Sequence, residues 1–576
     1  MSNLVKILLG IALLASFFGL SQTDPGIFIG FFPTWTNSTT GELYVWLAIP
    51  FLIFPAFALL ADAFSQPISA IQDSLSHLVS TLAKYPRRVF VTAFGLALTG
   101  LGLGNHFILH GFPVTDDEWG ARYGGQLLAM GKLAEAKPAY FKAMPELFLY
   151  EHGGKITSFD WLGAQIPWAI GELLHVPNLP FVALSAITVT AVAATVWHRL
   201  GPQWGVLAGV MFLASPMALS LSMTTHTHVV SRAFIACTLM VLDRYWDEFD
   251  GLTLPALAGV CGGLGWMARP IEVTMILGPL TLLFGYRAWQ LRRWTGFATY
   301  LGVGAVFVGL FTGHSYAVTG TLLPARLAPN DMAPWTDHHK PPLAFLKSIP
   351  ILKNRLGENI SYNAFMLTIW VLGPLAFFFA WIGTGRNAFA KALAWGVVAA
   401  LAVGLLHEDY GLHIVGPIHY SECVVPLILL VVFGVHRTHR WVLEHQISLL
   451  QWRTLVVALI ASNIFFGAVH LDALKRQADI HQRVYRFFDD PKFDNSVILA
   501  RTYADHWKSF PASAARGSFV FSWRRIDPRG SRVMIFHYTN RDPVTLKALK
   551  DAFPDRKFYE LRTKRQAPYI QAVDFK

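Results

Sequence analysis

Apolar runs of 15–21 residues recur along most of this chain and are separated by short polar loops. A run of that length crosses a bilayer as a helix, because only internal hydrogen bonds can satisfy its backbone there. Only 14% of the 576 residues are charged, whereas a soluble domain has about 25%. The sequence therefore predicts a mainly α, polytopic helical membrane protein. The thirteen predicted spans are 5–20, 43–63, 88–108, 180–197, 203–222, 229–243, 253–268, 271–286, 296–316, 364–384, 388–406, 419–436 and 452–470.

Five short basic loops set the predicted orientation, and they are 84–88, 197–200, 286–294, 385–391 and 436–440. With thirteen spans all five fall on one side, which the positive-inside rule assigns to the cytoplasm. The N-terminus is then cytoplasmic and the C-terminus lies outside. These loops, facing anionic lipid, explain the net charge of +11 without a nucleic-acid partner. The first run lacks a clear cleavage site, so we expect a retained helix.

The chain divides by composition into a membrane domain, 1–470, and a more charged segment, 471–576. The second segment contains strand-like runs ("SVILA", "GSFVFSWRRI", "RVMIFHY", "KFYELR") and a helix-like run, "DPVTLKALKDAF". This alternation predicts a small α/β domain on the outer face. Two long outer loops, 109–179 and 317–363, complete that face. The second is rich in proline and is either a lid or binding loop or a disordered connection.

Three consecutive carboxylates, Asp116, Asp117 and Glu118, follow a membrane-length apolar run. Thr115 and Glu118 have the spacing of a capping box, in which both side chains satisfy free amides at a helix start. Asp116 and Asp117 would then lie in the first turn, where the helix dipole favours negative charge. A capping role and a catalytic role are compatible, and both stay open from the local sequence.

Further polar residues fall on the same predicted face. Arg269, beside Pro270, suits a phosphate, although snorkelling to lipid or pairing with Glu272 explains it equally well. His226 and His228 would share a metal only in a turn and otherwise solvate a helix end. The remaining candidates lie in the loop 317–363 and in a hairpin before residue 424: Arg326, Asp331, Asp337, His338, His339, Lys340, His407, Glu408, Asp409, His413, His419 and Glu422. Cys237, Cys261 and Cys423 all lie in apolar stretches, so neither a disulfide framework nor a cysteine-rich metal site is expected.

The order of several motifs resembles that of the GT-C glycosyltransferases, especially bacterial relatives of the dolichyl-phosphate-mannose protein mannosyltransferases. An Asp-Glu pair followed by an aromatic-rich helix resembles the first outer loop of that superfamily. A Gly-Pro segment with a downstream Glu and Pro resembles its Gly-Pro-Arg-Tyr segment. The stretches that carry the resemblance are "DDEWGARYGGQLLAMGKL", "ITSFDWLGAQIPWAIG", "GWMARPIEV", "YAVTGTLLP", "GPIHYSECVVPLILL" and "NRDPVTLKALKDAFPDRKFYEL".

The resemblance implies an inverting transfer of a sugar from a polyprenyl-phosphate donor to a lipid, glycan or protein acceptor. It places the reaction on the periplasmic face of a bacterial inner membrane. The superfamily's general base falls on Asp117, with Asp116 as the near alternative; a positioned carboxylate contributes about 10²–10⁴-fold. A phosphate leaving group needs cationic stabilisation rather than an acid. Arg269 is the first candidate for it, and Lys340 or Arg326 the second.

This chain departs from the superfamily's Gly-Pro-Arg-Tyr pattern, because "GPIHY" has Ile418 and His419 in that place. His419 would contact a phosphate only when protonated, which would make activity depend on pH. The other residues predicted to line the site are Glu118, His226, His228, Tyr420 and Glu422. No metal is required by chemistry on a monophosphate donor, although the shared carboxylates and histidines leave a divalent cation open.

Other functions fit the same composition. A membrane transporter or lipid flippase with an outer-face binding domain would share the spans, but would place ionisable residues or broken helices near the membrane midplane. A non-catalytic scaffold would use the carboxylates only for capping. A ligase or polymerase acting on pyrophosphate-linked donors is not distinguished from the proposed enzyme by these residues.

Overall fold

A computed structural model of the chain describes residues 1–23, 47–113, 116–143, 149–248, 250–328, 365–404, 412–413, 415–487, 490–501, 532–538, 543–564 and 567–572. Helices dominate the described residues. In chain order they are α1 (Asn3–Thr23), α2 (Phe54–Ala63), α3 (Ser65–Leu82), α4 (Pro86–Phe107), α5 (Asp116–Ala129), α6 (Leu162–Leu173), α7 (Leu179–Leu200), α8 (Pro202–Ala214), α9 (Pro216–Ser222), α10 (Thr227–Glu248), α11 (Thr253–Ala268), α12 (Pro270–Gln290), α13 (Trp294–Thr319), α14 (Phe365–Leu372), α15 (Pro374–Thr384), α16 (Ala388–Gly404), α17 (Val424–Glu444), α18 (Leu449–Phe487) and α19 (Pro543–Ala552).

The apolar helices confirm the prediction of a polytopic helical membrane protein. In the residues that the structure describes, each of the thirteen predicted spans coincides with a helix or with a broken pair of helices. Six helices in the described part are long and apolar enough to cross a membrane, and up to eight if each of two bent pairs is one span. Four more apolar helices are shorter than that. The count of thirteen crossings therefore stays a prediction.

The helix ends that carry the basic loops lie together, and we call this end of the bundle the basic face. Lys6 of α1 pairs with Asp62 of α2 at 2.7 Å, and Arg453 of α18 pairs with Asp73 of α3 at 2.8 Å. At the same end, the ring of Trp204 packs against the rings of two histidines of α17. The predicted placement of the basic loops on one side thus agrees with how the helices pack.

A buried ion pair joins α7 to α10 at the basic face. Both oxygens of the fully buried Asp243 are used, since Arg199 donates to one and His198 Nδ1 lies 2.9 Å from the other. We expect Asp243→Asn to lower the free energy of unfolding by about 3 kcal/mol, because the partly buried guanidinium of Arg199 would lose its counter-charge. Asp73→Asn, which breaks the exposed pair with Arg453, should cost under about 1 kcal/mol. Reversible unfolding in detergent measures both, and equal losses would contradict the prediction.

A four-stranded sheet lies in the C-terminal segment. Its strands are β6 (Ser496–Arg501), β7 (Val533–Tyr538), β8 (Lys557–Lys564) and β9 (Ala567–Ala572), in the order β7-β6-β8-β9. Strand β6 is parallel to β7 and β8, and β9 is antiparallel to β8. The predicted α/β character is therefore present. Strand β9 was not predicted, and the predicted strand "GSFVFSWRRI" lies outside the described residues.

This sheet shares a hydrophobic core with the first outer loop. That loop contributes α5 and three strands, β1 (Glu135–Ala136), β2 (Leu149–His152) and β3 (Lys155–Ser158), and the strands form a small antiparallel sheet. Further along the chain, β4 (Leu412–His413) and β5 (Gly416–Pro417) form a separate antiparallel pair. Tyr140 contacts Phe536 and Phe553 at ring-centre distances of 5.3 and 5.2 Å. Other buried members of the core are Trp119, Tyr123, Leu127, Val497, Leu499 and Phe558. The acidic helix start and the C-terminal sheet therefore lie at the same end of the molecule.

Helix α18 crosses the predicted boundary at residue 470, because it continues unbroken from Leu449 to Phe487. Its extension is held by Asp479, which accepts hydrogen bonds from Lys475 and from His110 at the outer end of α4. Burial alone would raise the pKa of Asp479, but these hydrogen bonds hold it below its ordinary value. The first residues assigned to the C-terminal domain are thus the end of a membrane helix, and 471–576 as a separate domain stays a prediction.

Candidate functional site

Helix α5 begins at Asp116, as the capping pattern predicts, and carries the three carboxylates in its first turn. Glu118 is fully buried, and one of its oxygens accepts both the N–H of Thr225, at 2.9 Å, and the Thr225 hydroxyl. The prediction that Glu118 caps the start of its own helix is therefore incomplete, because its carboxylate also links α5 to the turn before α10. For Asp116 and Asp117, the structure describes only the backbone.

Close packing fixes α5 along its length. A methyl group on Gly125 would lie 2.3 Å from Cβ of Trp168 in α6, so only glycine allows the two helices to approach this closely. Arg122 donates to Glu172 of α6 at 3.0 Å. Together with the Glu118–Thr225 contact, this packing holds the start of α5 in one place beside the outer end of α10.

Glu422 is the centre of a buried hydrogen-bonded group. Its Oε1 accepts from His228 Nδ1 at 2.7 Å and from the Ser231 hydroxyl at 2.6 Å, and its Oε2 accepts from Ser421 at 3.1 Å. The His228 ring stacks against His226 with ring centres 4.9 Å apart. Two outer segments that are 194 residues apart in the chain therefore meet at one carboxylate.

Arg269 lies between α11 and α12 and is buried. It donates to Glu272, which is one of the alternatives that the sequence left open for it, and it interacts electrostatically with Glu422 and Asp160. Burial alone would lower the pKa of Arg269, but these carboxylates outweigh it and raise the pKa. Within the described residues its Nε has no hydrogen-bond partner. Arg269 is thus a permanently charged group with an N–H still available.

Arg232 is a fully buried cation that the sequence analysis missed. It lies in α10, donates from Nη2 to Ser222 at 3.2 Å and has Glu422 within electrostatic range. Its Nε and Nη1 have no hydrogen-bond partner among the described residues. A charged residue inside a predicted span is a functional candidate by default, and that signal was present in "THVVSRAF".

We call the group formed by these contacts the outer polar cluster: Glu118, Thr225, His228, Arg232, Arg269 and Glu422. Of the other predicted residues, His226 stacks on the cluster, and His419 approaches it with its ring 6.4 Å from that of His228. Tyr420 is buried beside Glu422 in the chain. Arg326 instead lies over Phe159 and Trp161, and Lys340 lies outside the described residues.

Gly416 determines the backbone conformation of the "GPIHY" turn, which precedes Glu422 in the chain. Its φ is +99°, and a Cβ there would lie 2.9 Å from the ring of Trp370. We expect Gly416→Ala to cost about 1–3 kcal/mol of stability, because alanine adopts that backbone only under strain. Gly100→Ala is the matched control, since a Cβ at Gly100 meets nothing within 4 Å. Thermal unfolding in detergent compares them, and an equal effect would contradict the strain argument.

A metal site and a broken helix also bear on function. Within the part of the chain that the structure describes, no group of three or more His, Cys, Asp or Glu side chains is placed to hold a metal ion. The span predicted at 203–222 is bent by 76° between α8 and α9. Arg232 contacts both parts, because its guanidinium lies over the ring of Phe212 in α8 and donates to Ser222 at the end of α9. Ionisable residues also lie inside a helix, because Arg232 and Asp243 are both buried within α10.

No family model and no curated protein matches the chain. It is similar to solved structures of ArnT from Cupriavidus metallidurans, one bound to undecaprenyl phosphate (9% identity, TM-score 0.48, covering 83% of this chain and 97% of that one) and one in the apo state (10%, 0.48, 83% and 98%). It is also similar to an Archaeoglobus fulgidus oligosaccharyltransferase (12%, 0.35, 73% and 61%).

Proposed function

We propose that this protein is a membrane glycosyltransferase that moves a sugar from a polyprenyl-phosphate donor to an acceptor at the outer end of its helix bundle. The observation that carries the proposal is the outer polar cluster, in which Arg232 and Arg269 are buried with guanidinium N–H groups unpartnered in the described residues. An unmet buried donor costs about 1–3 kcal/mol. A site that keeps several such donors is suited to a charged ligand.

A phosphate monoester or diester is the ligand whose chemistry fits these donors. Guanidinium groups bind phosphate oxygens in a bidentate, charge-assisted manner. The cluster lies at the outer ends of apolar helices, so in the proposed complex the prenyl chain stays in the lipid while its phosphate binds the cluster. Glu272 orients Arg269 by accepting its hydrogen bond, and Glu422 lies within electrostatic range of both arginines. The two carboxylates prevent the site from carrying a large uncompensated charge.

The reaction requires a base as well as the cations. In the proposed step Asp117, or Asp116 beside it, takes the proton of the acceptor hydroxyl as that oxygen attacks the anomeric carbon. The bond from this carbon to the phosphate oxygen breaks, and the polyprenyl phosphate leaves with its electron pair, held by Arg232 and Arg269. A single displacement inverts the anomeric configuration. Glu118 anchors the helix start that carries the base to Thr225.

The location and the acceptor complete the proposal. The basic face is cytoplasmic by the positive-inside rule, so the outer polar cluster faces the periplasm of a bacterial inner membrane. The acceptor is a lipid, glycan or protein, and the sheet of β6–β9 is the surface we propose for it, because that sheet shares a core with the loop that carries the base. The loop 317–363 is proposed as a lid or binding loop.

Sugar transfer by the purified protein in lipid nanodiscs tests the function. Radiolabelled polyprenyl-phosphate sugars are supplied with a cell-envelope extract that contains lipid, glycan and protein acceptors, and the product's anomeric configuration is compared with the donor's. We expect a labelled product with inverted configuration from at least one donor. Retention of configuration, or no transfer from any donor by protein shown to be folded, would contradict the proposal.

A lipid flippase or transporter is the second candidate, and one observation favours it. The 76° break between α8 and α9 places a broken helix next to the buried Arg232, an arrangement that transporters use for binding sites. In proteoliposomes a flippase would expose a labelled polyprenyl-phosphate lipid in the opposite leaflet while leaving its sugar bond intact. Transfer of the sugar without movement of the lipid would exclude this alternative.

A further inference from the structure

Helix α3 (Ser65–Leu82) differs from the neighbouring helices in direction and in burial. It is bent by 83° from the preceding helical segment, Ile49–Ala63, and none of its residues is buried. It begins at the basic face, one turn after the Lys6–Asp62 pair. A helix at right angles to the predicted span 43–63, starting at the end of that span, is oriented parallel to the plane of the membrane.

The surface of α3 is divided into three strips, since successive residues point 100° apart. One strip packs on the protein, where Ser69 and Asp73 accept from Arg453 at 3.0 and 2.8 Å. A polar strip holds the exposed His77. The third strip is apolar and consists of side chains that are 43–59% exposed at a spacing of four, three and four residues: Ile71, Leu75, Leu78 and Leu82.

Basic residues follow this apolar strip directly. Lys84, Arg87 and Arg88 are all exposed, and Arg88 lies over the ring of Tyr85, 5.0 Å from its centre. The carboxylate on α3 itself, Asp73, is paired with Arg453 and does not offset them. The apolar strip suits the boundary between the headgroups and the acyl chains of a bilayer. The neighbouring cationic group with its exposed tyrosine suits the charged headgroups.

We propose that α3 is an interfacial helix whose occupant is the anionic headgroup layer of the membrane at the basic face. Its apolar strip enters the boundary between headgroups and acyl chains, and Lys84, Arg87 and Arg88 bind acidic lipid phosphates. This surface is distinct from the outer polar cluster, since it lies at the opposite end of the bundle. The proposal does not depend on any catalytic activity.

Fluorescence quenching in nanodiscs tests the depth of the helix in the full-length protein. A bimane label is attached at Leu75→Cys and, as the matched control, at His77→Cys, with Cys237, Cys261 and Cys423 replaced by alanine. We expect the label at position 75 to be quenched more by lipids spin-labelled near the headgroup than by those labelled deep in the chain. It should be shielded from aqueous iodide, whereas the label at 77 should be quenched by iodide.

The lipid charge is tested in the same samples. Spin-labelled phosphatidylglycerol should quench position 75 more than spin-labelled phosphatidylcholine at equal content. That preference should be lost when Lys84, Arg87 and Arg88 are all changed to Gln. Equal iodide quenching at 75 and 77 would overturn the proposal, as would protection of position 75 from both quenchers, which indicates a protein contact such as a second copy. An unchanged lipid preference in the triple variant would overturn the assignment of the basic residues.

Discussion

Asp117→Asn is expected to lower kcat for sugar transfer by about 10²–10⁴-fold, with little change in the apparent affinity for the donor. The amide keeps the shape of the side chain and can still accept a hydrogen bond from a helix amide, but it cannot remove a proton from the acceptor. The start of α5 is held by Glu118 and by packing against α6. The loss should therefore appear in the chemical step rather than in folding.

Two variants make this measurement specific. Asp116→Asn replaces the neighbouring carboxylate of the same helix turn, and a larger loss there would move the base to Asp116. Asp250→Asn changes an exposed carboxylate near the other end of the bundle and should keep wild-type transfer. Wild-type kcat in both Asp117→Asn and Asp116→Asn would show that the carboxylates only stabilise the helix start, as the scaffold interpretation requires.

Arg232→Gln is expected to lower kcat/KM for the donor by about 10²–10³-fold, the usual cost of removing one preorganised donor to developing charge. Gln supplies a single N–H₂ group in place of the buried fork and carries no charge. Arg232→Lys should recover little of this loss, because a lysine offers a point charge without the bidentate geometry. Steady-state kinetics over a range of donor concentrations gives kcat/KM for the Arg232→Gln and Arg232→Lys variants.

The control for this variant lies on the same helix. Arg244 is exposed on α10, and Arg244→Gln should leave kcat/KM unchanged. Because Arg232 is fully buried and bonded to Ser222, each variant is also compared by size-exclusion chromatography and by thermal unfolding. A folded Arg232→Gln protein with wild-type kcat/KM would contradict a role for this arginine in the site.

The helices were predictable because hydrophobic runs of membrane length are a local property. The span at 203–222 shows where that reasoning ends: it breaks at Ser215, whose hydroxyl caps the new helix by accepting from the N–H of Ala218. Pro216 follows directly and fits the first turn of a helix, so the break had a signal that hydropathy alone does not register. Similarly, the continuation of α18 to Phe487 follows from helix propensity and packing rather than from apolar composition.

The site was predictable only in part. The sidedness of the polar segments placed Glu118, His228, Arg269 and Glu422 on one face, but not the particular contacts between them. The Glu118–Thr225 and His228–Glu422 hydrogen bonds join residues 107 and 194 positions apart, and no periodicity in one sequence specifies such pairs. Arg232 was the exception, because a charge within an apolar span can be recognised without knowing its partners.

The central claim is that the buried arginines of the outer polar cluster hold a lipid-linked phosphate. Equilibrium binding of a polyprenyl monophosphate and of the matching polyprenol to the purified protein in nanodiscs tests it most directly. The account predicts that the wild type and Arg244→Gln prefer the phosphorylated lipid by about 10- to 100-fold, as charge-assisted hydrogen bonds require, and that Arg232→Gln loses most of this preference. Equal binding of the two lipids by the wild type, or an undiminished preference in folded Arg232→Gln, would contradict it.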